Sequence, residues 1–250
     1  MESRSASSFA EFVHEVESLC EFEGTMLFRG QATKGKLLPS IARDTPSHDS
    51  TTEEKELIKE LRRMGASILP RTDMDDWELL VVAQHFGMKT RLLDWTSNPL
   101  AALYFACSDR KKGDVFVYVL SADQFLSENQ KGPFEPGKTQ VIRPNLNNPR
   151  IIAQHGWFTA HKYSEKTKKF VPLEQNREIK KSVIEICIPK SARELLLESL
   201  DRHGVSSRTL FPDLEGLCKY LNWKHESTQK GNLLALPQVS TLGKSPHRVV

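Results

Sequence analysis

The sequence predicts an α/β (α+β) domain: a mixed β-sheet, open to division into two parts, with helices packed around it. Three observations lead there. Apolar residues recur at helical spacing in several segments, each opened by a capping residue. Two runs, 115–120 and 183–188, are short, apolar and β-branched, as strands of a buried sheet are. The short strands are separated by both long loops and helices, not by the regular helices of repeated βαβ units. No repeat of fixed period is present.

The elements follow in order. Ser8 with Glu11 forms a capping box, and Phe9, Phe12, Val13, Val16 and Leu19 follow on one helical face, so a helix is expected over 8–23. Residues 25–28 read as a short strand delivering Arg29-Gly30 at its end, and the polar stretch 43–52 as a loop. A second helix starts at Thr51, with Leu57, Ile58, Leu61 and Met64 on one face. Asp75 and Asp76 can cap a third, which Gly87 ends. Asn98 followed by Pro99 is an N-cap with proline at the first helical position, and 101–107 continues as a small, apolar, buried helix. The run 115–120 is apolar on both faces and belongs in the centre of the sheet. Weak strands are expected at 140–142, 150–153 and 170–173, and a strong one at 183–188. Ser191 with Glu194 suggests a capping box for a helix stopping at Gly204, and Leu214, Leu217, Cys218 and Leu221 mark a last short helix. One domain is therefore expected over 1–223, with its motif-bearing core at 25–216 and a loosely ordered polar tail at 224–250.

Bulk composition excludes several classes. The chain has 250 residues, of which 38% are hydrophobic, and no run reaches the ~18 apolar residues of a membrane span. The first nine residues hold an acid and four serines where a signal peptide would be basic and apolar, so the cytoplasm is the expected compartment. Cys20, Cys107, Cys187 and Cys218 stand far apart in apolar-periodic segments and are expected as reduced core thiols. Without a Cys-x-x-Cys pair no metal is expected. A formal charge of +3 is too small to imply nucleic-acid binding by itself, and the basic clusters at 162–169 and 177–181 read as solvated surface. Motifs of zinc hydrolases, α/β-hydrolases, P-loop proteins and Rossmann enzymes are missing.

The richest stretch lies between residues 84 and 106, where Gln84, His85, Arg91, Asp94 and Thr96 sit between two apolar helices. A buried charge needs a partner or a ligand, because isolation costs several kcal/mol, on the order of the buried-ion penalty. Arg91 and Asp94 can satisfy one another across the turn, or they can meet a ligand. Asn98 opens a helix whose free N–H groups point to the same loop and suit an anion. Arg29 offers a planar fork for phosphate or carboxylate, and Gly30 permits close backbone approach. Gln154 and His155 follow the strand expected at 150–153. Asp213 and Glu215 occupy the first turn of the last helix, Asp213 as its cap and Glu215 as the freer carboxylate, while Glu185 interrupts an apolar strand.

Four blocks in order resemble the FRG domain family, named for its Phe/Tyr-Arg-Gly motif. They are Phe28-Arg29-Gly30-Gln31; the segment from Gln84 through Thr90-Arg91-Leu92-Leu93-Asp94-Trp95-Thr96 to Ala106; Arg150 with Gln154-His155-Gly156-Trp157-Phe158-Thr159; and Thr209-Leu210-Phe211-Pro212-Asp213-Leu214-Glu215-Gly216. The resemblance implies a bacterial or phage origin and a distant relation to ADP-ribosyltransferases. On that relation, Arg29-Gly30, then Thr96 with the helix 101–106, then a late carboxylate would build the site. NAD would be the substrate, bound by Arg29, Gly30, Gln84, Arg91, Asp94, Thr96, Gln154 and His155, with Arg29 and Arg91 on the pyrophosphate. Glu215, Arg29 and His85 would be catalytic. The sequence departs from that pattern in lacking a Ser-Thr-Ser strand and a Gln/Glu-x-Glu motif, which leaves the carboxylate open among Glu215, Glu185 and Asp213.

The implied function is an NAD-consuming transferase acting on a macromolecule, protein or nucleic acid, or an NAD hydrolase. It would serve as a toxin or defence effector, with an antitoxin or other partner protein and no membrane. Two alternatives stand beside it: a non-catalytic module binding a nucleotide or phosphate, and a metal-assisted hydrolase or nuclease using Asp94, Asp213 and His85.

Overall fold

Alternation of apolar residues between two packing faces sets the framework. The computed structural model describes residues 1–20, 24–109, 113–126, 132–145 and 148–235. Its strands are β1 (Glu2–Ser5), β2 (Met26–Gln31), β3 (Leu92–Thr96), β4 (Val115–Ser121), β5 (Gln140–Ile142), β6 (Gly156–Ala160), β7 (Tyr163–Ser164), β8 (Lys169–Phe170) and β9 (Val183–Ile188). Its helices are α1 (Phe9–Leu19), α2 (Thr51–Met64), α3 (Asp76–His85), α4 (Pro99–Ser108), α5 (Pro149–Ala153), α6 (Arg193–Arg202), α7 (Ser207–Leu210) and α8 (Leu214–Ala235).

Seven strands form one mixed sheet in the order β1-β9-β4-β2-β3-β6-β5, and β7 and β8 make a separate hairpin. Within the sheet β1 runs parallel to β9 and the other neighbours are antiparallel. The strand at 115–120 is central as expected, buried on both faces. The middle of the sheet is its weak seam. Strand β2 pairs with β4 over its whole length, from Met26↔Ser121 to Gln31↔Phe116, and β3 pairs with β6 from Leu92↔Ala160 to Thr96↔Gly156. Between β2 and β3 the ladder holds the single pair Phe28↔Thr96. The sheet is thus two halves, β1-β9-β4-β2 and β3-β6-β5, joined at one point.

Three apolar clusters hold these halves. Helices α1, α4 and α6 cover one face through Phe12, Val16, Ala102, Ala106, Leu196 and Leu200 against Phe28, Val117, Val119 and Ile186. The opposite face gathers Leu27, Leu93, Trp95, Phe116 and Leu120 beneath Leu37, Leu173 and Ile179 from connecting segments. Helices α2 and α3 pack Ile58, Leu79, Leu80 and Val82 on Leu92, Phe158 and Ala160. All four cysteines are free; Cys107 is buried and its thiol is pushed up to about 12 by that burial, whereas Cys20 and Cys218 are exposed, against the expectation of core thiols. Among the described residues no helix is long and apolar enough to cross a membrane.

Several expectations are corrected. Residues 150–153 form helix α5, not a strand, because Asn148 caps Arg150 N–H at 2.9 Å and Pro149 takes the first helical position. That is the same signal as Asn98-Pro99, where Asn98 Oδ1 accepts from Leu100 and Ala101. Arg29 and Gly30 lie inside β2, which continues to Gln31. The strand expected at 170–173 shrinks to the Lys169–Phe170 hairpin arm. Helix α6 begins after a 3-10 turn with Ala192, not Ser191, at its N-cap, and no side chain caps it. The polar stretch from Lys224 stays helical to Ala235, while 236–250 lie outside the described residues. The first helix ends at Leu19, and 21–23 also lie outside them.

Candidate functional site

A cavity of about 290 Å³ opens where β2 and β3 part, lined by Phe28, Arg29, Gly30, Asp94, Thr96 and Gln154, with Trp95 and Phe105. Five residues expected at the site from the sequence therefore meet there: Arg29, Gly30, Asp94, Thr96 and Gln154. With the ladder already ended, the guanidinium of Arg29 spans the seam and donates from Nη1 to the backbone oxygen of Asp94 at 2.8 Å. The same nitrogen lies 3.6 Å from the Asp94 carboxylate. Nε of Arg29 is buried without a hydrogen-bond partner. Burial pushes this guanidinium down, partly opposed by Asp94.

Asp94 interrupts the burial of β3, with a side chain 59% exposed between buried neighbours. Gln84, at the end of α3, fixes it by donating to both carboxylate oxygens at 3.1 and 3.2 Å. The amide of Gln84 is oriented in turn, since its oxygen accepts from Thr90 Oγ1. The hydroxyl of Thr96 donates to the Gln154 backbone oxygen at 2.6 Å and accepts from Asn98 N at 2.9 Å, which ties β3, α4 and α5 together. His85 is half-buried. Burial and Arg150 push its imidazole below its ordinary value, with Asp213 and Asp94 pulling the other way.

The role expected for Gly30 is changed. A Cβ there would stand 1.9 Å from Ala102 O and 2.5 Å from Ala106 N, so this glycine lets α4 lie directly on β2. The close approach it permits is by a helix and not by a ligand.

Other expected residues fall elsewhere. Arg91 does not pair with Asp94. It is buried 1% exposed, with Nε on Glu54 Oε2 at 2.6 Å and Nη1 on Pro133 O at 2.9 Å, outside the cavity. Arg91 stands in the bend just before β3, and its side chain turns to Glu54 of helix α2. Glu215 is not free: Arg150 Nη2 reaches it at 3.0 Å and Lys219 at 2.6 Å, and the Lys219 hydrogen bond, ahead of Arg150, holds its carboxyl below the usual range. Asp213 caps α8 through Gly216 N–H at 2.9 Å and takes Arg150 Nε at 2.6 Å. Glu185 is buried on β9, where Lys34 and Ser3 meet it. His155 is exposed in a left-handed turn at φ 49° and does not line the cavity.

Phe105, inside the second block of the family resemblance, lines the cavity from helix α4, whereas Glu54, the partner of Arg91, carried no sequence signal as one of two acids in the first turn of α2. Among the described residues no group of three or more His, Cys, Asp and Glu could hold a metal ion. Residues 24–115 match the family model of the FRG domain, a span from just before β2 to the first residue of β4. That span holds Arg29, Gly30, Gln84, His85, Asp94 and Thr96, while Arg150 and Gln154 lie beyond it. No curated protein and no solved structure matches the chain.

Proposed function

We propose, for a chain that carries an FRG domain over residues 24–115, that it consumes NAD as an ADP-ribosyltransferase-like enzyme, transferring ADP-ribose to a macromolecule or to water. The observation that carries this reading is the pairing of Arg29 and Asp94 across the open seam, 3.6 Å apart at the mouth of the cavity. A cation and an exposed carboxylate on one rim can sort the two charges of such a substrate. Arg29 would hold the pyrophosphate in two-point geometry. Asp94 would lie against the ribose. At about 290 Å³ the cavity is at the small end of ligand pockets, so it takes one end of the dinucleotide and leaves the remainder on the rim.

Cleavage breaks the bond from the ribose anomeric carbon to the nicotinamide nitrogen, and the electron pair leaves with neutral nicotinamide. The sugar passes through an oxocarbenium-like state, which a fixed carboxylate stabilises. Asp94, held by Gln84, is the carboxylate best placed for this; Glu215 and Asp213 are engaged with Arg150. An acceptor hydroxyl or water then bonds to the anomeric carbon and gives its proton to His85, whose imidazole burial holds below its ordinary value and so favours the neutral form a base needs. An enzyme of this kind would act as a toxin or defence effector, with a partner protein restraining it, and would need no metal.

The test is calorimetric titration with NAD followed by nicotinamide release in the same samples. The wild type is expected to bind and release. Asp94→Asn should bind within a few-fold and release roughly 100-fold or more slowly, the scale of a lost electrostatic stabiliser. Arg29→Ala should lose binding with its circular dichroism unchanged. Binding without release would make the cavity a recognition module, and absence of both would defeat the reading.

A further inference from the structure

The two basic clusters that read separately as solvated surface come together around one groove. Its volume is about 880 Å³ against about 290 Å³ for the cavity at the seam. The β7–β8 hairpin carries Lys166 and Lys169 along it, a later loop brings Arg177, and Lys162 stands beside Phe134 over a floor that includes Arg91.

Charge counting decides what the groove accepts. Its lining also has four carboxylates, Asp49, Glu135, Glu165 and Glu178. Glu165 is taken by Lys168 at 2.5 Å and Glu178 by Lys138 at 3.1 Å. Lys166, Lys169 and Arg177 have no ion-pair partner among the described residues. Lys162 donates only to backbone oxygens, those of Pro133, Glu135 and Gly132. Burial, and then the nearby Arg91, push its ammonium down to about 8, with Glu135 and Glu54 pulling the other way.

The floor gives an independent sign. Arg91 is 1% exposed, and Glu54 and Pro133 satisfy Nε and Nη1, yet Nη2 has no hydrogen-bond partner. Phe134 lies on the guanidinium with the ring centroid at 4.8 Å. A buried N–H left without an acceptor is costly, and an anion seated in the groove would supply one.

We infer that this groove is a second binding site, for a ligand bearing two or more phosphate groups, with Lys162, Lys166, Lys169 and Arg177 around the phosphates and Arg91 beneath them. The spread of the cations over a hairpin and a loop suits phosphates set along a chain more than one compact anion. That chemistry can come from a free polyphosphate or from the backbone of a nucleic-acid strand. The site does not rest on the reading of the cavity at the seam.

The test uses the full chain and two probes, inorganic triphosphate by calorimetry and a fluorescein-labelled single-stranded oligothymidylate by anisotropy, each at low and at raised salt. The variant K166E/K169E/R177E reverses exposed or half-exposed charges outside the core, and Lys190→Glu reverses an exposed charge elsewhere. Binding that weakens with salt, and at least about tenfold in the triple variant but not in Lys190→Glu, is expected from the loss of phosphate contacts. Triphosphate alone binding in this way identifies a small polyphosphate site, and oligothymidylate binding in this way identifies a strand-binding one. Failure of both probes, binding that survives the triple reversal, or equal weakening by Lys190→Glu overturns the site.

Discussion

At the scale of single residues, the sharpest contrast is between two arginines near one strand. Arg29 keeps one nitrogen for Asp94 and faces a cavity, while Arg91 is committed to Glu54 in the interior. Burial pushes the Glu54 carboxyl up, against the pull of the Arg91 charge and its hydrogen bonds. Removing one member of such a pair strands the other without solvent. Glu54→Ala is expected to destabilise the fold by about 3–5 kcal/mol in urea denaturation, and replacing both residues with methionine to recover most of that loss. A neutral Glu54→Ala would mean that the buried pair contributes nothing to holding α2 in place.

At the scale of elements, the seam exists because α4 is pressed on β2. Two alanines and a glycine make the contact: Gly30 under Ala102 and Ala106. A helix set so low holds Phe105 over the gap and lets the Asn98 cap share Thr96 with Gln154. Gly30→Ala must therefore lift α4 or bend β2. Overpacking of this kind is expected to destabilise by about 1–3 kcal/mol or more, and to weaken binding in the cavity as the seam moves. Thermal unfolding of Gly30→Ala beside Gly137→Ala, where nothing lies within 4 Å of the added carbon, checks it.

At the scale of the whole molecule, acid should loosen the fold through a buried group outside the lining of the cavity. His161 is buried, with Nε2 3.2 Å from Thr159 Oγ1 and Nδ1 unpartnered. Burial, and secondarily Arg29, push its pKa down to about 3. The unfolded chain takes up this proton below about pH 6.5. The folded chain resists until about pH 3, so this contribution is complete above pH 6.5 and declines as the pH falls through that window. The slope from one such group is at most about 1.4 kcal/mol per pH unit. Urea midpoints across the window should fall less steeply for His161→Gln than for the wild type; equal slopes would mean that His161 does not titrate on unfolding.

Sequence alone determined the class of fold, the central strand at 115–120, the caps at Ser8, Asp75 and Asn98, and the segments that build the cavity. Those are consequences of local chemistry and of period, which the order of residues states directly. It also pointed to Asp94 and Thr96, because polar residues set among apolar helices demand partners or ligands, to Arg29 by its planar fork, and to Gln154 through the family resemblance. Only the tertiary structure decided who partners whom. Arg91 lies three residues from Asp94 but pairs with Glu54, 37 positions away, because it sits in the bend before β3 that packs on helix α2. Glu215 has a local partner in Lys219, four residues on, but also lies against Arg150, 65 positions away. The seam is a matter of register between β2 and β3, and the groove that gathers Lys162, Lys166, Lys169 and Arg177 over Arg91 is a matter of where a hairpin lands. Long-range pairing depends on which surfaces the collapsed core leaves in contact, and no local pattern encodes that.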